Sequence, residues 1–190
     1  MTSLIKVDTI QDADGNNIIN ESSNTITIGA SGDTTNIIGT LQNNGAAVGG
    51  NNTPFFCAVK SSQTTGQTDN VWTKITFDTE VQDSDGTFAS DKFTPAVAGK
   101  YYLELIATGG TSSASSLTSI AIKIYKNGSE ITGVNNTSKT ESEVEIFTIS
   151  TSAIITSDTD DYFEAYIKID RSTGTNRITT AQFSGFKLIE

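Results

Sequence analysis

Residues 93–103 read FTPAVAGKYYL and begin a pattern in which every second side chain is large and apolar, at Tyr101, Leu103 and Leu105. A period of two is the period of a β-strand, whose successive side chains point to opposite faces of a sheet. The alternation returns downstream, with isoleucine at positions 120, 122 and 124 and apolar side chains at positions 163, 165, 167 and 169. Each segment therefore predicts a strand with one face in a hydrophobic core.

Further alternation, a turn signal and the composition extend this prediction. Apolar or β-branched residues also alternate at Val71, Thr73, Ile75 and Phe77, and the sequence YKNGS at residues 125–129 contains the Asn-Gly pair typical of a type I′ hairpin. Only 18% of residues are charged, and no segment has the apolar spacing of an amphipathic helix. We therefore predict an all-β fold whose main part is an antiparallel jelly-roll sandwich.

The aromatic residues divide the chain into two regions. Every Phe, Tyr and Trp lies after Asn52, whereas residues 1–50 contain short isoleucine-rich segments separated by polar turns. The sequence GAAVGGNN at residues 45–52 is small, uncharged and rich in glycine, as in a joint between two bodies. We therefore predict an N-terminal β-stalk over residues 1–50 and a jelly-roll head over residues 51–190.

The stalk region has too few bulky side chains to fold as a single copy. Ordering the backbone costs roughly 1–2 kcal/mol per residue, and isolated isoleucine segments bury little area to offset that cost. Three copies intertwined around an axis would let equivalent isoleucines pack together and strand edges find partners. The alternative is a disordered tether rich in Asn and Ser.

A family resemblance rests on residues 93–103 and on FSGFKLI at residues 183–189. Together these stretches resemble the trimeric jelly-roll family of the complement C1q head and tumour necrosis factor. The positions that carry the resemblance are Phe93, Gly99, Tyr101, Phe183, Gly185 and Phe186. The resemblance implies that Phe93 fills the core, that Gly99 permits a turn and that Tyr101 begins a strand buried on one face. It also implies that Gly185 allows a neighbouring backbone or ring to approach closely.

The N-terminal region carries a second resemblance. The stretches IKVDTIQD at residues 5–12 and ITIGASGDT at residues 26–34 look like the openings of fibre-type proteins from phages of aquatic bacteria. This implies a homotrimeric virion structural protein, made in the bacterial cytoplasm and located on the virion surface. Residues 1–50 would attach to a capsid, tail or fibre-adaptor protein, and the head would contact a host surface glycan or protein. The alternatives are a passive capsid decoration without a receptor and a bacterial surface adhesin.

Charge and residue usage argue against several functions. With 12 basic and 22 acidic side chains, the net charge of -10 disfavours nucleic acid and anionic lipid partners. No apolar run has the roughly 20 residues of a membrane-spanning helix, so we expect no membrane insertion. The absence of histidine removes the usual general base, and we predict that the protein is not an enzyme. Cys57 is alone among apolar neighbours, which predicts a buried thiol.

Two acidic segments and one aromatic residue leave functional alternatives open. We expect no obligate cofactor, but Asp158, Asp160 and Asp161 are calcium candidates, since three chains could pool them near an axis; the alternative is a solvated loop. The sequence DSDGT at residues 83–87 resembles a fragment of a calcium loop, or else a turn that hydrogen-bonds its own backbone. Trp72 either stacks on a sugar or packs within the protein.

Overall fold

The computed structural model describes residues 9–11, 13–15, 17–22, 25–28, 31–38, 41–43, 46–47 and 52–188. The chain divides into two compact units, Met1–Gly50 and Asn51–Glu190. All regular structure within the described ranges is β-strand. The predicted joint falls largely at residues 45 and 48–51, which lie outside these ranges, as do residues 5–8 and 12 of the first phage-like stretch.

The N-terminal unit contains two small antiparallel sheets. Strands β1 (Thr9–Gln11), β2 (Asn17–Ser22) and β3 (Thr25–Ile28) pair in chain order, and β4 (Gln42–Asn43) pairs with β5 (Ala46–Ala47). No described residue of this unit belongs to the buried hydrophobic core of the protein. Instead, the large apolar side chains that the structure describes in this unit are exposed to solvent: Ile10, Ile19, Ile26, Ile28, Ile37, Ile38 and Leu41.

The second unit is a sandwich of two antiparallel sheets. Its strands are β6 (Phe55–Lys60), β7 (Thr64–Gln67), β8 (Thr73–Lys74), β9 (Thr79–Asp83), β10 (Phe88–Ala89), β11 (Lys92–Phe93), β12 (Gly99–Thr111), β13 (Leu117–Lys126), β14 (Ser129–Val144), β15 (Ile146–Ser157), β16 (Phe163–Arg171) and β17 (Asn176–Lys187). The β12 sheet has the order β15-β12-β17-β6-β9, with β7 also paired to β17. The β13 sheet has the order β10-β11-β16-β13-β14, with β8 also paired to β16. The predicted all-β antiparallel sandwich is confirmed.

The core lies between the two sheets and follows the predicted alternation. Tyr101, Leu103 and Leu105 on β12 have no exposed surface, and the inward isoleucines of β13 and apolar residues of β16 face them from the other sheet. The Phe56 ring lies 4.2 Å from that of Phe93. Each large side chain buried here contributes about 1.5–3 kcal/mol relative to exposure, which makes this core the main stabilising element of the unit.

The hairpin prediction is confirmed, and the prediction of a strand over residues 71–77 is confirmed only for Thr73–Lys74. Asn127 and Gly128 have φ angles of 53° and 72°, and both are positive as a type I′ turn requires. By contrast, β8 covers only Thr73–Lys74, and Val71 is 48% exposed. Asn70 has a φ of 54° and donates its backbone N–H to the Ile169 carbonyl, so the chain turns immediately before Val71.

Candidate functional site

The first part of the family signature surrounds the start of β12. Phe93 is fully buried and lies opposite Phe163 in the sheet register. Tyr101 is also buried, and its hydroxyl donates to the Val97 carbonyl at 2.7 Å, while burial raises the pKa of the phenol to about 12. Gly99 has a φ of +149°, and a Cβ there would collide with the Lys187 side chain. The flexible end of Lys187 could move aside, so the preference for glycine here comes from the backbone conformation.

The second part of the signature lies on β17, next to β12. Phe183 is fully buried. A Cβ at Gly185 would collide with the Leu103 side chain and would lie 2.7 Å from the Tyr102 carbonyl oxygen, so this position admits only glycine without movement of β12. Phe186 points away from the core and is half-buried. Of the signature residues, Phe93, Tyr101, Phe183 and Gly185 are buried, whereas Gly99 is half-buried and Phe186 belongs to a surface.

That surface is the outer face of the β12 sheet. Tyr102 lies directly opposite Ile154 on β15 and Phe186 on β17, and Phe186 in turn lies opposite Phe55 on β6. The Tyr102 and Phe186 rings are 5.5 Å apart, and Ile154 is 64% exposed. These four side chains form an apolar row across four adjacent strands. Cross-strand neighbours of this kind form a continuous patch, which the sandwich itself leaves uncovered.

A shallow depression of about 370 Å³ borders the apolar row. Cys57, Glu104 and Ser184 line it together with Phe55, Tyr102 and Phe186. The expectation that Cys57 lies in the core is wrong, because β6 directs Phe56 and Ala58 inward and therefore turns Cys57 outward. Cys57 is half-buried, and this burial raises the pKa of its thiol.

The outer face of the β13 sheet carries a different set of side chains. The Tyr125 and Tyr166 rings stack with centroids 4.2 Å apart. Nζ atoms of Lys123 and Lys168 lie 4.6 Å and 5.4 Å from the centroid of the Trp72 ring. Tyr162 has the Lys92 ammonium 4.3 Å from its ring centroid, and Lys74 pairs with Glu164 at 2.9 Å. We call this set the Trp72 face; its members are Trp72, Lys74, Lys92, Lys123, Tyr125, Tyr162, Glu164, Tyr166 and Lys168.

The second unit matches a solved structure of known fold. The globular domain of zebrafish complement 1qA protein has a TM-score of 0.52 and 17% sequence identity with this chain; the alignment covers 73% of this chain and 99% of the zebrafish domain. The fold is a C1q-like jelly roll. No protein-family model matches the sequence. No curated protein sequence matches it. The described residues form no helix that could span a membrane.

The acidic loop before β16 is held by bonds within the C1q-like head. Asp161 is 5% exposed; its carboxylate accepts hydrogen bonds from Lys126 Nζ at 2.7 Å, Asn127 Nδ2 at 2.6 Å and the Asp158 N–H at 2.6 Å. Burial alone would raise the pKa of Asp161, but these bonds outweigh burial and lower it. Asp158 and Asp160 are exposed. Within the described ranges no three acidic, Cys or His side chains are grouped to hold a metal ion, so pooling across three chains stays a prediction.

The DSDGT segment of the C1q-like head is a turn closed by its own backbone. The Asp83 carboxylate accepts hydrogen bonds from the Thr87 N–H at 2.9 Å and the Phe88 N–H at 2.7 Å. The Thr87 hydroxyl also donates to it at 2.9 Å. Desolvation opposes the ionised form, but these bonds prevail and lower the pKa of Asp83. Of the two alternatives for this segment, the geometry supports the self-bonded turn.

Proposed function

We propose that this chain is a bacteriophage virion structural protein that assembles as a homotrimer. Residues 1–50 form the stalk and attach to a capsid, tail or fibre-adaptor protein, and the C1q-like heads contact the host cell surface. The protein is displayed on the virion and catalyses no reaction. The observation that carries the proposal is the exposure of nearly every large apolar side chain described in the N-terminal unit.

The exposed isoleucines need a partner. Ile38 is 96% exposed and Ile26 is 68% exposed in a single chain. Burying such side chains gains about 25 cal/mol per Å² of apolar surface, and Ile26 lies on an edge strand of a three-stranded sheet that has no further partner among the described residues. Further copies of the same chain supply matching isoleucines and matching edges. Self-association therefore buries the exposed isoleucines and pairs the strand edges.

The apolar row on the head supports the same assembly. Tyr102, Phe186, Phe55 and Ile154 cross the β12 sheet as one continuous patch beside a shallow depression. In a cyclic trimer, three copies of this patch would face a common axis and exclude water from one another. Glu104 stands next to the row and would bring three like charges toward the axis. A trimer must therefore place this carboxylate where water or a cation reaches it.

The virion assignment itself rests on sequence resemblance, chiefly the phage-like stretches at residues 5–12 and 26–34. The absence of catalysis agrees with the chemistry of the chain, which has no histidine. It also agrees with the carboxylates of Asp83 and Asp161, which are occupied by hydrogen bonds within their own loops. Host contact through three equivalent heads would convert weak single contacts into strong attachment.

Two measurements on the full chain test the proposal. Sedimentation equilibrium should give three times the chain mass of 20.1 kDa. Antibodies against the purified protein should label intact phage particles, and the protein should bind host cells and compete with phage adsorption. A mass of one chain contradicts the assembly. Labelled particles without competition would instead identify a passive capsid decoration, and binding to the producing bacterium's own surface would identify an adhesin.

A further inference from the structure

We infer that the Trp72 face of the head is a binding surface for an acidic polysaccharide. This inference deepens the host contact of the proposed function by giving the contact a location and a ligand class. It depends on side chains of the second unit alone, and none of them contributes to the apolar row. The face and the apolar row lie on different sheets of the sandwich, so a contact through the row does not use these side chains.

Amphipathic aromatic residues are concentrated on this face. The chain has one Trp and five Tyr, and Trp72 with three of the tyrosines, Tyr125, Tyr162 and Tyr166, lies here with rings half-buried. The fully buried rings between the sheets are mostly phenylalanine, which has no polar group to hydrogen-bond water or a ligand. Half-exposed Tyr and Trp rings offer an apolar face and a polar edge. A pyranose ring needs both, because its C–H groups stack on rings and its hydroxyls take hydrogen bonds.

The aromatic rings are interleaved with ammonium groups. Lys74 and Lys92 share one carboxylate, that of Glu164, at 2.9 Å and 3.9 Å, and Lys123 pairs with Glu130. Lys168 has the Trp72 ring beside it and forms no ion pair within the described ranges. Four lysines thus face the carboxylates of Glu164 and Glu130, with Asp170 two residues beyond Lys168 on the same face of β16, in a chain whose net charge is -10. This local excess of positive charge suits an anionic group, and Lys168 is the ammonium best placed to pair with it.

The alternation of aromatic rings and ammonium groups indicates which class of anionic ligand fits the Trp72 face. A nucleic acid binds chiefly through many lysine and arginine contacts to its phosphates, whereas Lys74, Lys92 and Lys123 on this face are already paired with carboxylates. An acidic polysaccharide presents apolar sugar faces between separated carboxylates or sulfates. At physiological ionic strength the Debye length is about 8 Å, so remote acidic side chains are screened while contact pairs with lysines persist. The ligand class that fits both features is a polysaccharide bearing carboxylates or sulfates.

The single tryptophan provides a direct test, since all tryptophan emission of the full-length protein comes from Trp72. The protein is titrated with polygalacturonate, dextran sulfate and unmodified dextran at 0.15 M NaCl. We expect a saturable change in emission with at least one acidic polymer and none with dextran. We also expect 0.5 M NaCl to weaken the response. An equal response to dextran, or no response to either acidic polymer, would overturn the inference.

Variants of Lys168 localise the binding. Lys168→Gln should weaken acidic-polymer binding about tenfold, in line with the loss of one charge-assisted hydrogen bond, and Lys168→Arg should restore it. Lys187→Gln, at the end of β17 in the other sheet, is the matched control and should bind like the wild type. Unchanged binding by Lys168→Gln contradicts the site. The fluorescence readout requires neither trimers nor virions, so failure of the proposed function and failure of this site are observed separately.

Discussion

The carboxylate of Asp161 lies 2.7 Å from the ammonium of Lys126 and ties the loop before β16 to the end of β13. The side chain of Asn127 completes the connection. Its Nδ2 donates to the Asp161 carboxylate, and its Oδ1 accepts from the Tyr162 N–H at 2.9 Å. Asp161 is 5% exposed, so its charge is compensated almost entirely by these groups. Asp161, the most buried member of this acidic cluster, therefore holds the β13–β14 hairpin against the loop before β16.

The first prediction concerns these bonds of Asp161. Asp161→Ala should lower the free energy of unfolding by about 1–3 kcal/mol, since hydrogen bonds to a charged group are lost and the Asp158 N–H is left without its acceptor. Urea unfolding at fixed protein concentration measures the change. Asp160→Ala is the control; this exposed neighbour should change stability by less than about 0.5 kcal/mol. Equal effects of the two variants would contradict the structural role of Asp161.

The second prediction is acid destabilisation through the turn at Asp83. Its pKa is lower in the folded protein than in the unfolded chain, so the folded state holds the proton less readily. The corresponding stability is fully present above the unfolded pKa of about 4 and is lost as the pH falls through the folded pKa. The melting temperature should stay level from pH 7 to pH 5 and then decrease below pH 4.

The variant Asp83→Asn tests the assignment of this pH dependence. It should lower stability at pH 7 and reduce the decrease below pH 4, because the amide does not titrate. Asp160→Asn is the control and should retain the wild-type pH profile in thermal unfolding. Asp78 contributes in the same direction, because backbone hydrogen bonds from Ser61 and Ser62 hold its pKa well below the usual range. If the melting temperature of Asp83→Asn decreases below pH 4 as much as that of the wild type, Asp83 is not the source of the acid destabilisation.

The third prediction concerns the close approach of β17 to β12. Gly185→Ala should destabilise the head by about 1–3 kcal/mol, since its Cβ would overlap the Leu103 side chain and the Tyr102 carbonyl. Adding Leu103→Ala removes only the first overlap. A double-mutant cycle measured by urea unfolding should therefore show that Gly185→Ala costs less in the Leu103→Ala background. Strict additivity would mean that the backbone overlap alone determines the cost.

The regular part of the fold was predictable from local sequence. Positions such as Tyr101, Leu103 and Leu105 alternate strictly, and their burial follows from strand geometry alone. The strand containing Cys57 reads FFCAVK, in which nearly every side chain is apolar, so periodicity cannot decide which face is inward. The strand predicted from Val71 is shorter than its apolar pattern, because it pairs with β16 only at Thr73 and Lys74, and the extent of that pairing is set by tertiary structure.

The candidate sites depend on contacts that sequence spacing does not encode. The pairing of β13 with β16 brings Lys126 close to Asp161. The same pairing places Lys123 and Lys168 on adjacent strands, where both contact the Trp72 ring. The signal available in the sequence was compositional: a single Trp and several Tyr among lysines at alternating strand positions. That signal indicates outward-facing residues but not which of them are neighbours, because neighbours are set by strand order.

The fourth prediction concerns assembly through the apolar row. Tyr102→Glu should shift the proposed trimer toward single chains, because three charges would be placed in an apolar contact without partners. Sedimentation equilibrium measures the mass, relative to the 20.1 kDa chain. Tyr125→Glu, on the opposite sheet, is the matched control and should leave the assembly intact. A Tyr102→Glu protein that keeps the mass of three chains even at the lowest concentration measured would show that the row is not required for assembly.

The fifth prediction uses Cys57, the one cysteine of the chain, as a reporter of the same contact. In a single chain Cys57 is half-buried beside Tyr102 and Phe186, and burial raises the pKa of its thiol. Alkylation requires the thiolate, so the reaction is slow at pH 7 even without a partner and should become slower when other subunits cover the depression. Iodoacetamide labelling followed by mass spectrometry should therefore be at least several-fold faster in Tyr102→Glu than in the wild type and the Tyr125→Glu control. Equal rates in all three proteins would place the depression outside the subunit contact, and a trimer mass in the wild type would then have to be attributed to the exposed isoleucines of residues 1–50.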